Sequence, residues 1–232
     1  MLPTILTEDT HFYKKYETEL KPHLGKPYIS YSSVDSWFSY REDFIKQKFG
    51  KIKLPDGIYA MFGSYIGEAI ENGKFGENLH GFEGQENLDL DSLRPDGAEY
   101  EKLIVIDRGN YIIVGFIDIY YEKDGKAYVE DAKSGGKGKE SKYKDSEYIQ
   151  VILYAHAIEN TGIKIGGTGV RFIRREGSHI NPPLKISKDQ FYIPLEYNKK
   201  RVDFALKKVD KAVKEISDLY KTFTKIFGDG KI

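Results

Sequence analysis

The stretch Gly115-Phe116-Ile117-Asp118 through Val129-Glu130-Asp131-Ala132-Lys133 decides how this chain is read. It has the pattern of a β-hairpin whose two-residue connection is Asp124-Gly125, a pair suited to the tight turns that join antiparallel strands. Lys123 then faces Lys126, and counting outward puts Asp118 directly opposite Asp131, with Cβ atoms about 5 Å apart. Like charges at facing positions destabilise a sheet. A divalent cation between the two carboxylates is the simplest compensation.

The preceding segment extends the pattern. Glu99-Tyr100-Glu101-Lys102-Leu103-Ile104-Val105-Ile106 runs into Asp107-Arg108-Gly109-Asn110 and leaves through Tyr111-Ile112-Ile113-Val114. With Arg108-Gly109 as the turn, Glu99 faces Asp118. A loop displaced by one residue on each side brings Glu101 there instead. Lys133, two residues after Asp131, points to the same side of its strand because side chains alternate. Three acids and an ammonium on neighbouring strands are the candidate site.

Gly115-x-x-Asp118, then Asp131-x-Lys133, then Gln150-x-x-x-Tyr154 on a following helix resembles the PD-(D/E)XK nuclease superfamily, most closely its RecB-like and lambda-exonuclease-like branch. The resemblance spans about residues 30 to 160. It implies an α/β, restriction-endonuclease-like fold, a central mixed β-sheet flanked by helices. It also implies a nuclease that cuts phosphodiester bonds with Mg²⁺ or Mn²⁺, most readily in DNA, with exonuclease action favoured. Asp118 and Asp131 would be the main metal ligands, the Ala132 carbonyl a further one, and Glu99 or Glu71 would join directly or through water. Lys133 would orient the attacking water, while Gln150 and Tyr154 would face the metal and the nucleic-acid backbone. Relatives commonly carry a metal-binding histidine four residues after a glycine on an earlier helix. That position is Gly67 here, and Glu71, or less readily Glu68, is the nearest substitute. This departure leaves a catalytically inert nucleic-acid-binding module as the rival reading, with a purely structural cation site behind it.

Composition narrows the classes. There are 36 basic and 36 acidic residues, so any phosphate-binding surface must come from local segregation of charge. Cysteine is absent, which excludes disulfides and the cysteine-held iron–sulfur cluster found in some RecB-like nucleases. No apolar run reaches the roughly 20 residues of a membrane span, and the N-terminus lacks a signal-peptide pattern. A cytoplasmic protein without membrane contact is expected. The 18 tyrosines suit cores, and also stacking on bases.

Along the chain, residues 1–29 read as an irregular arm around a short helix. Ser32 and Asp35 give a helix-start signature, followed by Val34, Trp37, Phe38, Phe44, Ile45 and Phe49 at helical spacing. Pro55-Asp56-Gly57 is a turn, and Ala60 to Glu71 a helix stopped at Asn72-Gly73. Gly63 and Gly67 share one face of it, where another helix or a phosphate backbone approaches closely. Residues 73–98 form a loop. The run from Lys133 to Lys144 is rich in lysine and glycine, and Lys137, Lys139 and Lys142 are candidate phosphate contacts. Asp145 or Ser146 is the expected cap of a helix to Asn160, with Glu147, Gln150 and Tyr154 on one face and Val151, Ile152 and Ala155 toward the core. Gly169 to Arg175 reads as a strand offering Arg171, Arg174 and Arg175 to nucleic acid, with a return through Gln190 to Ile193. His156 and His179 are isolated. Residues 196–228 form one long amphipathic helix, with Val202, Leu206, Val209, Val213, Ile216, Leu219 or Tyr220, Phe223 and Ile226 in its stripe. It packs on the body of a single domain spanning 1–232, or holds a protein partner or second copy. The tail from Gly228 is expected to fray.

Overall fold

The computed structural model describes residues 2–52, 54–55, 57–76, 81–144, 147–178 and 183–227. Asp56, Asp145, Ser146, His179 and the tail from Gly228 lie outside them. The chain is a mixed α/β fold. In order it forms α1 (Glu17–Leu20), β1 (Tyr28–Ser30), α2 (Tyr31–Ser39), α3 (Arg41–Lys48), α4 (Ile58–Asn72), β2 (Lys102–Asp107), β3 (Ile112–Ile117), β4 (Ile119–Lys123), β5 (Lys126–Gly135), α5 (Ser141–Lys144), α6 (Gln150–Glu159), β6 (Lys164–Glu176), β7 (Lys185–Leu195) and α7 (Lys199–Phe227). The strands make two sheets, β1-β3-β2 and β4-β5-β6-β7, rather than the one central sheet expected. The division falls at Asp118, the single residue between β3 and β4.

Contacts group the chain into two compact units: Met1–Pro55, Leu103–Gly115 and Asp203–Ile232 in one, Asp56–Lys102 and Phe116–Val202 in the other. In the first, β1 runs parallel to β3, pairing Tyr28 with Ile112 and Ser30 with Val114. Helix α2 is capped by Ser30, whose Oγ accepts from the Ser33 amide at 3.2 Å, two residues before the predicted Ser32 signature. The expected helix through Phe49 breaks at Tyr40 (φ −142°, ψ 49°) into α2 and α3. The Phe44 ring then packs edge-on against Trp37, with centroids 5.4 Å apart. Phe49 meets Tyr220 and Phe223 of α7 at 5.8 and 5.3 Å. Asn198 caps α7 through its Oδ1, which accepts from the Arg201 amide at 2.9 Å. Its buried stripe is Val202, Ala205, Val209, Ala212 and Ile216, whereas Leu206 and Val213 are only half-buried and Ile226 is 66% exposed. The apolar period was legible, but the face is rotated and ends early.

In the second unit β4 and β5 are antiparallel, β5 and β6 parallel, β6 and β7 antiparallel. The β4–β5 turn has φ 53° at Asp124 and 69° at Gly125, the two positive angles of a type I′ turn. Lys123 pairs with Lys126 as expected. Helix α4 ends at Gly73, whose φ is 69°. It packs Phe62, Ile66 and Ile70 with Ile119, Ile173 and Leu184 on one face of the sheet. Each such side chain contributes about 1.5–3 kcal/mol when fully buried. Helix α6 packs on β5 and β6 and is buried on nearly every side from Gln150 to Ile158. It begins at Gln150, later than predicted, so Glu147 precedes it and shares no helix face with Gln150 and Tyr154.

Candidate active site

The hairpin that fixes Asp118 against Asp131 keeps the expected register: Ile119 pairs with Glu130, and one step further the Ala132 amide donates to Asp118 Oδ2 at 2.7 Å. The earlier hairpin does not keep the Arg108-Gly109 turn. Arg108 N–H donates to Tyr111 O at 2.9 Å, and Gly109 has φ 80°, so Gly109-Asn110 are the central residues. The one-residue displacement carries Glu99 past Asp118. Its backbone exchanges hydrogen bonds with Tyr120 at 2.7 and 2.9 Å, and its exposed carboxylate pairs with Lys102 at 2.7 Å. Glu101, with φ 53°, takes the place beside Asp118. A positive φ in a non-glycine residue stores strain of the kind that clusters at functional positions.

Asp118 opens on a cleft of about 340 Å³ whose wall includes Gly63, Gly67 and Glu71 of α4, Glu101, and Lys133. Gly67 faces open space, with nothing within 4 Å of where a Cβ would stand. Behind the cleft Asp131 is 1% exposed. Lys133 Nζ lies 2.7 Å from its carboxylate and 4.0 Å from Asp118 Oδ2, a cation bridging two acids. Tyr148 donates to Asp131 Oδ2 at 2.6 Å and also lies 3.0 Å from Gln150 Oε1; Gln150 Nε2 donates to Tyr154 at 3.4 Å. A hydroxyl has one proton, and the shorter, charge-assisted contact takes it. Tyr154 is buried, behind Gln150.

Removal from water, the neighbouring Asp131 charge and Glu101 push the Asp118 carboxyl well above its ordinary range, against the pull of Lys133 and the Ala132 amide. Burial alone would weaken the Lys133 ammonium; Asp131 and Asp118 outweigh it and raise its pKa. Burial, then the same two carboxylates, raises that of Tyr154. Lys133 is therefore a firm cation at neutral pH.

Of the remaining candidates, Lys137, Lys139 and Lys142 are exposed beyond the end of β5. Arg171 pairs across the ladder with Ala132, on the sheet face opposite Asp131, and its guanidinium holds Glu130 at 2.6 and 3.3 Å. Arg174 pairs with Glu140 at 2.8 Å and with Asp189, and Arg175 lies 3.7 Å over the Tyr59 ring. Sequence reasoning passed over Tyr148. Its only signal was its place two residues before Gln150, hidden by the assumption that the helix had already begun. Oxygen donors alone surround the cleft, a set that suits a hard divalent cation. Among the described residues no group of three or more His, Cys, Asp or Glu stands close enough to hold a metal ion. The full shell would therefore need carbonyl oxygen or water.

The fold and cleft define an α/β protein with an acidic, lysine-bridged pocket between α4 and the start of the β4–β5 hairpin. No family model matches the chain, and no curated protein matches it. Among solved structures, it is similar to a protein of Eubacterium rectale provisionally named an exonuclease, with TM-score 0.54 and 10% identity over 99% of this chain and 89% of that one. It also matches SSO0001 at TM-score 0.41 and 16% identity, over 85% of this chain and 83% of that one. At such identities the first likeness shows a shared fold.

Proposed function

We propose that the Asp118 cleft hydrolyses phosphodiester bonds, most readily in DNA and from strand ends, as a metal-dependent nuclease of the PD-(D/E)XK type. The observation that carries this is the Lys133 ammonium set 2.7 Å from Asp131 and 4.0 Å from Asp118 at a cleft wall. The shared fold with a provisionally named exonuclease supports the same reading. Asp118, Asp131 and the Ala132 carbonyl would hold Mg²⁺ or Mn²⁺, with Glu101 or Glu71 completing the set from the cleft. Bound there, the ion would supply an acidified water and a counter-charge for phosphoryl oxygens.

The chain's own residues do the rest. Lys133 keeps its proton and is placed to offset charge developing on the attacked phosphate. Tyr148 holds Asp131 in one orientation, and Gln150 donates to Tyr154 behind it. Gly63 and Gly67 leave room for a sugar–phosphate backbone to approach α4.

The test is incubation of purified protein with linear, circular and single-stranded DNA and with RNA, in Mg²⁺, Mn²⁺ or EDTA, repeated with Asp131→Ala and Lys133→Ala. Metal-dependent degradation lost in both variants is expected. Unimpaired cutting by either variant would sink the assignment. The lack of a three-residue ligand cluster among the described residues favours one rival, a module that binds nucleic acid without cutting it. Binding with no cleavage in any metal would establish that instead.

A further inference from the structure

On the sheet face opposite Asp131, register brings three ammoniums into one row. Lys123 pairs with Lys126 across the β4–β5 turn, and Lys126 pairs with Lys164 on β6. All three are exposed. Asp124 sits in the turn between two of them, yet none of the three has an ion-pair partner among the described residues. Like charges on facing positions cost stability, so the row is tolerated against folding, in a chain whose net charge is zero.

The next row inward on the same face is aromatic. Tyr121 and Tyr128 are cross-strand partners whose rings stack at 4.9 Å and 3°. Tyr128 leans over Gly166 and Gly167, where an added Cβ would come within 2.8 and 3.0 Å of its ring. Further on, Tyr192 covers Gly169, is 45% exposed, and carries the Arg171 guanidinium 4.7 Å above its ring. Arg171 is tied to the buried Glu130, which also accepts from Tyr121 at 3.2 Å. That network holds the aromatic floor in place and neutralises the carboxylate beneath it.

We infer that this face is a binding platform for single-stranded nucleic acid, with Lys123, Lys126 and Lys164 gripping phosphates and the tyrosine rings stacking bases. An unpaired ammonium row matches a phosphate backbone in charge, and the half-buried Tyr121 and Tyr128 with the 45% exposed Tyr192 leave aromatic rims open to unstacked bases; a duplex hides its bases and offers the rings nothing. The platform lies on the face away from Asp131 and needs no cleavage chemistry, so it stands or falls separately from the proposed activity.

The experiment is fluorescence anisotropy in EDTA with a labelled oligodeoxythymidylate of about 15 nucleotides and a duplex of equal length. The proteins are wild type, the triple variant Lys123→Gln/Lys126→Gln/Lys164→Gln, and Tyr128→Leu. The triple variant is expected to bind the single strand about tenfold more weakly, with the log–log salt slope reduced by about 2. Tyr128→Leu is expected to weaken binding about fivefold with the slope unchanged. If the triple variant melts early, Lys126→Glu alone must show the same direction. Unchanged binding on lysine replacement overturns the platform. So does a tyrosine replacement without effect, which leaves a plain polyanion patch, or a duplex bound as tightly as the single strand.

Discussion

Asp118 is the residue on which chemistry and stability meet. Its carboxyl is desolvated, faces a second acid, and titrates well above the usual carboxylate range. The sign follows from linkage: a folded-state pKa above the unfolded value gives stability that is full below the unfolded pKa and lost as pH rises through the folded one. In EDTA, the protein should therefore lose thermal stability as pH climbs from about 4 toward neutrality, and Asp118→Asn should flatten that slope. Melting curves across this range decide it; an equally steep slope in the variant would refute it. Lys133 offers a second expectation. Lys133→Met leaves two carboxylates facing each other and should cost about 1–3 kcal/mol in urea unfolding in EDTA, less than a fully buried pair because the side chain is 29% exposed. The Asp118–Asp131 facing was legible from the chain, since a two-residue turn and strict alternation fix it. Glu101 was left as an alternative to Glu99 because moving a turn by one residue costs little and leaves no mark on the sequence.

Helix α4 tests the cleft at the level of a whole element. Its two glycines cost about 1 kcal/mol each relative to alanine in a helix interior, and Gly67 has empty space beside it. Gly67→Ala should raise stability by about 0.5–1 kcal/mol. Gly67→Phe should melt no lower than wild type yet block metal-dependent cleavage, because the ring projects into the cleft. A phenylalanine variant that cuts normally would mean substrate enters elsewhere. The stop at Gly73 and the helical period of α4 could be read directly. The break at Tyr40 could not, because it depends on where Trp37 and Phe44 find each other.

Across the whole molecule, the chain passes between its two units four times, at 55/56, 102/103, 115/116 and 202/203. Neither unit is continuous in sequence, so neither closes without the other's chain being placed. A cooperative transition is expected. The single tryptophan, Trp37, is buried in the first unit and donates to Glu215 of α7 at 2.8 Å, so its emission reports that unit alone. Its urea midpoint should coincide with that of far-UV circular dichroism, which samples both. Separated midpoints would show units that unfold independently. No helix among the described residues is long and apolar enough to cross a membrane.

By itself the sequence determined the α/β class, the β4–β5 turn, the facing of Asp118 and Asp131, and the side on which Lys133 lies. All of these follow from periodicity and turn chemistry acting within a few residues. Only the tertiary structure decided that Glu101 rather than Glu99 reaches the cleft, that Tyr148 secures Asp131, that Arg171 is spent on Glu130, and that three lysines form a row beside stacked tyrosines. Those depend on strands and loops distant in the chain meeting at one register, which packing fixes and local pattern does not.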